Sequence, residues 1–152
     1  MQLSAPVTTQ LRVLIVTFWV GSMWTIGYLV APTLFATLPE RALAGSIAGS
    51  LFRIEAWVSV VCGLLLLGLL VWDRHFEHRR FCLIAVLLML ACVSVGYFGL
   101  QPFMAELREA AALNGGVMDD ASRSRFGMLH GVASLFYLCQ SVMAVALVLK
   151  IR

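Results

Sequence analysis

The chain has 152 residues, 61% hydrophobic and only 12% charged, with a net charge of +3 and a mean hydropathy of +0.93. A soluble domain carries about 25% charged and about 45–50% apolar residues, so a soluble single domain is excluded, and so is disorder, which needs high charge and little apolar content. The few basic residues are too scattered for nucleic acid, and what remains is a small integral membrane protein whose first partner is the lipid bilayer.

A helix crosses the hydrocarbon layer with about 20 apolar residues. Four stretches qualify, at 11–31, 54–72, 81–101 and 126–149. The expected fold is therefore all-α: one domain over 1–152, a polytopic four-transmembrane-helix bundle with both termini on one side. Arg12, Arg74, Arg79, Arg80, Lys150 and Arg152 fall on the terminal side, against Arg41, Arg53, Arg108, Arg123 and Arg125 on the other. The tight loop Asp73–Arg80 concentrates three of the first set, whereas acidic residues dilute the second. The positive-inside rule then places both termini in the cytoplasm, with a bacterial inner membrane as the expected location. Ala42-Leu43-Ala44 has the small-x-small form of a signal-peptide cleavage site, but the preceding apolar stretch is too long for a signal sequence, and the first span is expected to be retained.

Between spans one and two, Thr37-Leu38-Pro39-Glu40 reads as a capping box opening a long helix, with Gly49-Ser50 as the place for it to bend. Gly45 and Gly49, and again Gly127 and Gly131, have the spacing that lets helix backbones approach closely. Pro102 is expected to end or kink span three. Beyond it Phe103, Met104, Leu107, Ala110 and Ala111 share one side of a short amphipathic helix at the interface, which Asn114-Gly115 stops. No internal repeat is evident. Cys62, Cys82, Cys92 and Cys139 lack CxxC spacing and read as buried thiols. His75 and His78 read as part of a solvated loop, and the seven Met form no MxM or MxxM cluster, so no metal site is expected.

Polar residues within spans are costly in lipid and usually face the bundle interior. His130, Ser134, Tyr137 and Ser141 form one stripe on span four, and Ser94, Tyr97 and Gln101 another on span three. Span one adds Thr25 and Tyr28, and span two Glu55, Ser59 and Cys62. With the orientation above, most of these groups fall in the outer half of the membrane. Two readings stay open: a plain structural network, or a ligand pocket lined by His130, Glu55, Tyr97, Gln101, Ser134, Tyr137, Tyr28, Thr25 and Ser59, with an ion pair between Glu55 and His130. A third, haem or metal bound through His130, would need a second axial ligand such as Met104.

Several segments together resemble the transmembrane protein 205 family, small four-span proteins whose bacterial members are catalogued as a domain of unknown function of the DUF4149 type. The carrying residues are Phe18–Gly21, Tyr28–Phe35 with its Ala31-Pro32, Ala44–Phe52, Pro102 with Leu107-Arg108, and Phe126–Gly131 with Ser134 close behind. The likeness departs at Phe136-Tyr137, where a Leu-Asn-like pair is expected. The resemblance implies four membrane helices and no established reaction, and it raises His130, Pro32 and Arg108 as positions to watch. The function expected is non-enzymatic binding or movement of a small molecule, eased by homo-oligomerisation. The alternatives are a haem-associated redox protein centred on His130 and a structural or assembly subunit. No nucleophile accompanies Glu55 and His130 to suggest catalysis.

Overall fold

The computed structural model describes residues 5–151, with side chains from residue 7 onward; Arg152, one of the cations used above to orient the chain, lies outside the described residues. Six α-helices follow one another: α1 (Ala5–Trp24), α2 (Ala31–Thr37), α3 (Arg41–Trp72), α4 (Arg79–Val93), α5 (Gln101–Leu113) and α6 (Asp120–Lys150). Single π-helical stretches, Thr25–Val30 and Ser94–Gly99, join α1 to α2 and α4 to α5. Four continuous helical runs result, Val7–Thr37, Arg41–Trp72, Arg79–Leu113 and Asp120–Lys150, each long and apolar enough to cross a membrane. The chain is thus an integral membrane protein. At 32 residues, α3 is about 48 Å long at 1.5 Å per residue, more than the hydrocarbon layer is thick.

The four runs pack around one core. On α3 the buried residues Ala44, Ala48, Glu55, Ala56, Ser59, Cys62, Gly63, Leu66 and Leu70 recur at helical spacing on one face. Val16, Trp19, Val20 and Met23 from α1, Cys82, Ala85, Val86 and Met89 from α4, and Ala144 and Leu147 from α6 meet Cys62, Leu66 and Leu70 there. Large apolar side chains such as Leu14, Phe18, Leu64, Leu87 and Leu138 point outward, as lipid contact requires.

The end that holds the termini is closed by charge. Arg12 is 2% exposed. It donates to Asp73 at 2.7 Å and Thr9 at 3.1 Å, and its guanidinium lies over the Phe76 ring at 4.1 Å. Arg79 Nε donates to the Leu70 carbonyl at 2.6 Å, near the end of α3, where carbonyls lack helical partners. Two of the basic residues at the terminal end, Arg12 and Arg79, are thus tied to the fold.

At the opposite end the structure differs from the sequence reading in two ways. The capping box does not form: Thr37 Oγ1 donates back to Thr33 O at 2.7 Å, and α3 begins only at Arg41 with no side-chain cap. From there α3 stays α-helical through Gly49-Ser50. Pro102 does not stop the chain's helical course, because it sits in the first turn of α5, where a missing N–H leaves no bond unmade; α5 accordingly follows span three with no connecting loop. The stop after α5 falls at Asn114-Gly115 as expected, with Gly115 (φ 71°) and then Gly116 (φ 84°) in the left-handed region.

A recurrence absent from the sequence reading also emerges. The π-helical stretches open on Thr25-Ile26-Gly27-Tyr28 and Ser94-Val95-Gly96-Tyr97, and a proline, Pro32 or Pro102, stands in the first turn of the helix that follows each. The two glycines face adjacent residues of α6. A Cβ on Gly27 would overlap the Tyr137 ring, and one on Gly96 would stand 3.2 Å from Phe136 Cβ. Gly63 of α3 is the third tight seat, against Leu90. Gly127 and Gly131, read from spacing as packing residues, meet nothing within 4 Å, while Gly45 and Gly49 seat side chains (Phe35, and Arg108 with Gln101) rather than a helix backbone.

Gly27→Ala is therefore expected to lower the thermal stability of the protein in detergent by about 1–3 kcal/mol, the range for overpacking, whereas Gly127→Ala leaves it unchanged or raised. At the start of α6, Asp119 accepts from the Ser122 backbone amide at 3.2 Å, and the Ser122 hydroxyl, followed by that amide, holds its carboxyl below the usual range. Ionised Asp119 thus stabilises the helix start above the ordinary Asp range near about pH 4, and the contribution fades as pH falls through the lowered value. Protection of the Ser122 and Arg123 amides against exchange, taken relative to the intrinsic rate at each pH, should fall on acidification in the wild type and show no such acid step in Asp119→Ala.

Candidate functional site

The polar groups inside the membrane separate into two clusters. The first lies between α1, α3 and α6. Glu55 and Ser59 are four residues apart on the α3 face that carries Ala48, Cys62 and Leu66, so packing that face buries them: Glu55 is 4% exposed and Ser59 1%. Trp19 of α1, fully buried, donates its Nε1–H to Ser59 Oγ at 2.7 Å, and Ser59 donates in turn to Glu55 Oε1 at 3.3 Å. Ser22 also lies beside the carboxyl but donates to the Trp19 carbonyl at 2.9 Å. Glu55 Oε2 is left without a hydrogen-bond partner among the described residues.

Tyr137 of α6 completes this cluster. Its hydroxyl donates to the Met23 carbonyl and is also bonded by the backbone amide of Gly27. In an α-helix that amide would serve that carbonyl directly; the phenol is inserted between them, a recognised way of interrupting a helical ladder. Tyr28, on the same π-helical stretch, donates to Ser141 Oγ at 2.8 Å. The Tyr137 ring meets Tyr28 edge-on at 5.9 Å and Phe52 at 5.6 Å.

The second cluster sits at the end of the molecule away from the termini. Arg108 of α5 lies against Gly49 of α3, where a Cβ would stand 3.6 Å from its Nη1 and 3.7 Å from Gln101 Nε2. Tyr97 is close enough to act on the guanidinium electrostatically, as is neighbouring Glu109, and the Phe126 ring lies 5.9 Å away. His130 stacks on the other reach of Phe126 at 6.1 Å. Arg108 is half-buried, yet it makes no hydrogen bond or ion pair among the described residues.

Of the residues expected to line one pocket, Tyr28, Glu55, Ser59 and Tyr137 are brought together in the first cluster, and Tyr97, Gln101 and His130 gather around Arg108 and Phe126 in the second. Thr25 and Ser134 face outward, and Ser134 donates back to the His130 carbonyl at 2.8 Å, the usual resort of Ser in a membrane helix. The Glu55–His130 ion pair is not formed. Glu55 is buried and His130 exposed, and the salt bridges among the described residues are Arg12–Asp73 and Arg123–Asp120. A cavity of about 380 Å³ opens beside Leu107, Ala111 and Met118, and a shallow one of about 470 Å³ beside Gly68 and Trp72; no residue of either cluster lines them. No group of three or more His, Cys, Asp or Glu gathers among the described residues.

The stripe reading did not include Trp19 and Ser22. Their signal was present, since Trp19 shares a helical face with Val16, Val20 and Met23 and Ser22 stands three residues from it, but Trp reads as core and Ser as self-bonded. Removing the Tyr137 hydroxyl isolates its contribution: Tyr137→Phe should cost about 1 kcal/mol of stability in detergent, within the range for interhelical hydrogen bonds in membranes, while Ser134→Ala should leave the melting curve in place.

The family model described as a domain of unknown function, DUF4149, matches residues 14–112. That stretch holds Trp19, Glu55, Ser59, Gln101 and Arg108, whereas His130 and Tyr137 lie beyond it. No curated protein and no solved structure matches the chain. With spans one to three and α5 inside a match that covers more than half of its length, this four-span membrane protein belongs to the DUF4149 family.

Proposed function

We propose that the protein binds a small molecule carrying a carboxylate or phosphate group at the end of the molecule away from its termini, with Arg108 as the anion-recognising residue. One observation carries this reading: a half-buried guanidinium whose five N–H donors find no acceptor among the described residues. Arg12 sets the contrast. Where this protein buries an arginine for structure alone, it supplies Asp73 at 2.7 Å and a ring face at 4.1 Å.

The surroundings of Arg108 suit an anion. Gln101 offers a neutral amide donor alongside, and Gly49 leaves room that a larger side chain would take. Phe126 offers a flat apolar wall with His130 behind it. A guanidinium reads carboxylate and phosphate bidentately, and more strongly as water is excluded. The charge of the Asp73–Arg80 loop favours a cytoplasmic terminal end, which turns the Arg108 end outward from a bacterial inner membrane. The finer likeness to the transmembrane protein 205 family includes the Leu107-Arg108 pair and agrees with this choice of residue.

Thermal denaturation in mild detergent against a panel of small phosphates and carboxylates tests the reading. A ligand at a hundredfold excess over its Kd stabilises by about 2.7 kcal/mol. The expected result is a stabilising anion whose effect disappears in Arg108→Gln and survives in Arg74→Gln, a variant at the opposite end. Equal stabilisation of Arg108→Gln and wild type would refute it.

A further inference from the structure

The Glu55 cluster is independent of the Arg108 site, and it poses a different problem. Glu55 is the one buried carboxylate among the eight acidic residues of the chain; Asp73 is half-buried against Arg12, and the other six are exposed. The groups that face it are Trp19 and Ser22 from α1, Tyr137 from α6, and Ser59 and Cys62 from α3 itself. None of them is a cation. Arg53, two residues away on α3, is exposed and makes no ion pair. The carboxyl receives one bond, on Oε1, from a neutral hydroxyl at 3.3 Å, and Oε2 receives none. An ionised carboxylate so placed would stand in an apolar interior with its charge uncompensated, and groups in that position neutralise instead.

We propose that Glu55 is a proton-binding site, with an exchangeable proton carried on Oε2. On release the proton passes to water, the O–H electron pair stays on the carboxylate, and no other bond is made or broken. The bare oxygen then needs a donor, and the structure offers one at hand: the Ser22 hydroxyl can turn from the Trp19 carbonyl toward it. Proton binding is thereby tied to the contact between α1 and α3, because Trp19 supplies both the carbonyl that Ser22 leaves and the Nε1–H that holds Ser59 in the chain of bonds to Oε1.

Infrared spectroscopy of the full chain in detergent, with its glutamates labelled in the side-chain carboxyl carbon, reads this directly. At neutral pH a protonated-glutamate C=O band should appear, shift with the label, vanish in Glu55→Gln, and disappear reversibly on alkaline titration. Absence of such a band at neutral pH, its survival in Glu55→Gln, or its indifference to alkali would each overturn the proposal. If the variant does not fold, the labelled wild type decides alone, since Glu55 is the one buried glutamate and Glu40, Glu77, Glu106 and Glu109 are exposed to solvent.

Discussion

The Tyr137 hydroxyl, held between the Met23 carbonyl and the Gly27 amide, is the contact on which the arrangement of the helices turns. A backbone group freed inside the bilayer has no water to bond, so a helix can be interrupted there only where the protein itself supplies the missing partner. The interruption and its remedy therefore require each other. The π-helical stretch opens a gap in the ladder of span one, Tyr137 fills the gap, and Gly27 is the residue that leaves room for the ring. One position along α6, Phe136 lies against Gly96 in the second π-helical stretch. Span four is thus seated between two matching irregularities, and its rotation about its own axis is set by both.

That seating decides how the membrane-embedded polar groups are used. Trp19, Ser59 and Glu55 form one chain of hydrogen bonds with Ser22 beside it, while Tyr28 bonds Ser141 and the Tyr137 hydroxyl bonds the Met23 carbonyl nearby. The second cluster is left at the far end, where α3 and α5 extend beyond the two π-helical stretches. The arginines of the two ends mark the difference in kind. Arg12 is enclosed by an acid, a hydroxyl and a ring, and clasps the first span to the loop after the second. Arg108 rests on a glycine beside an amide and makes no hydrogen bond or ion pair among the described residues.

Much of the fold was legible in the sequence because the bilayer imposes a crude rule that composition obeys. Four long apolar runs, the proline and glycine punctuation after span three, and the buried face of α3 are all properties of single segments. Where the local reading failed, a competing local bond or a tertiary contact prevailed: Thr37 bonds back to Thr33 instead of capping α3, and Gly127 and Gly131 have the right spacing but no neighbour. The polar stripe merged two clusters into one because periodicity places a residue on a face of its own helix and says nothing of the rotation or height of that helix against its neighbours: Glu55 is buried, whereas His130 is exposed beside Phe126, and Thr25 and Ser134 face outward.

The sequence by itself determined the class of molecule, the number of crossings, the residues forced inward on each helix, and the presence of ionisable groups where lipid tolerates few. These follow from hydrophobicity and helical period, which act within a segment. The tertiary structure alone decided that Tyr137 reaches the backbone of span one, that Trp19 and Ser59 form a chain of bonds to Glu55, that Glu55 and His130 do not meet, and that the recurring Gly-Tyr segments both serve α6. Those outcomes depend on the rotation and relative height of packed helices, quantities fixed by contacts between segments far apart in the chain.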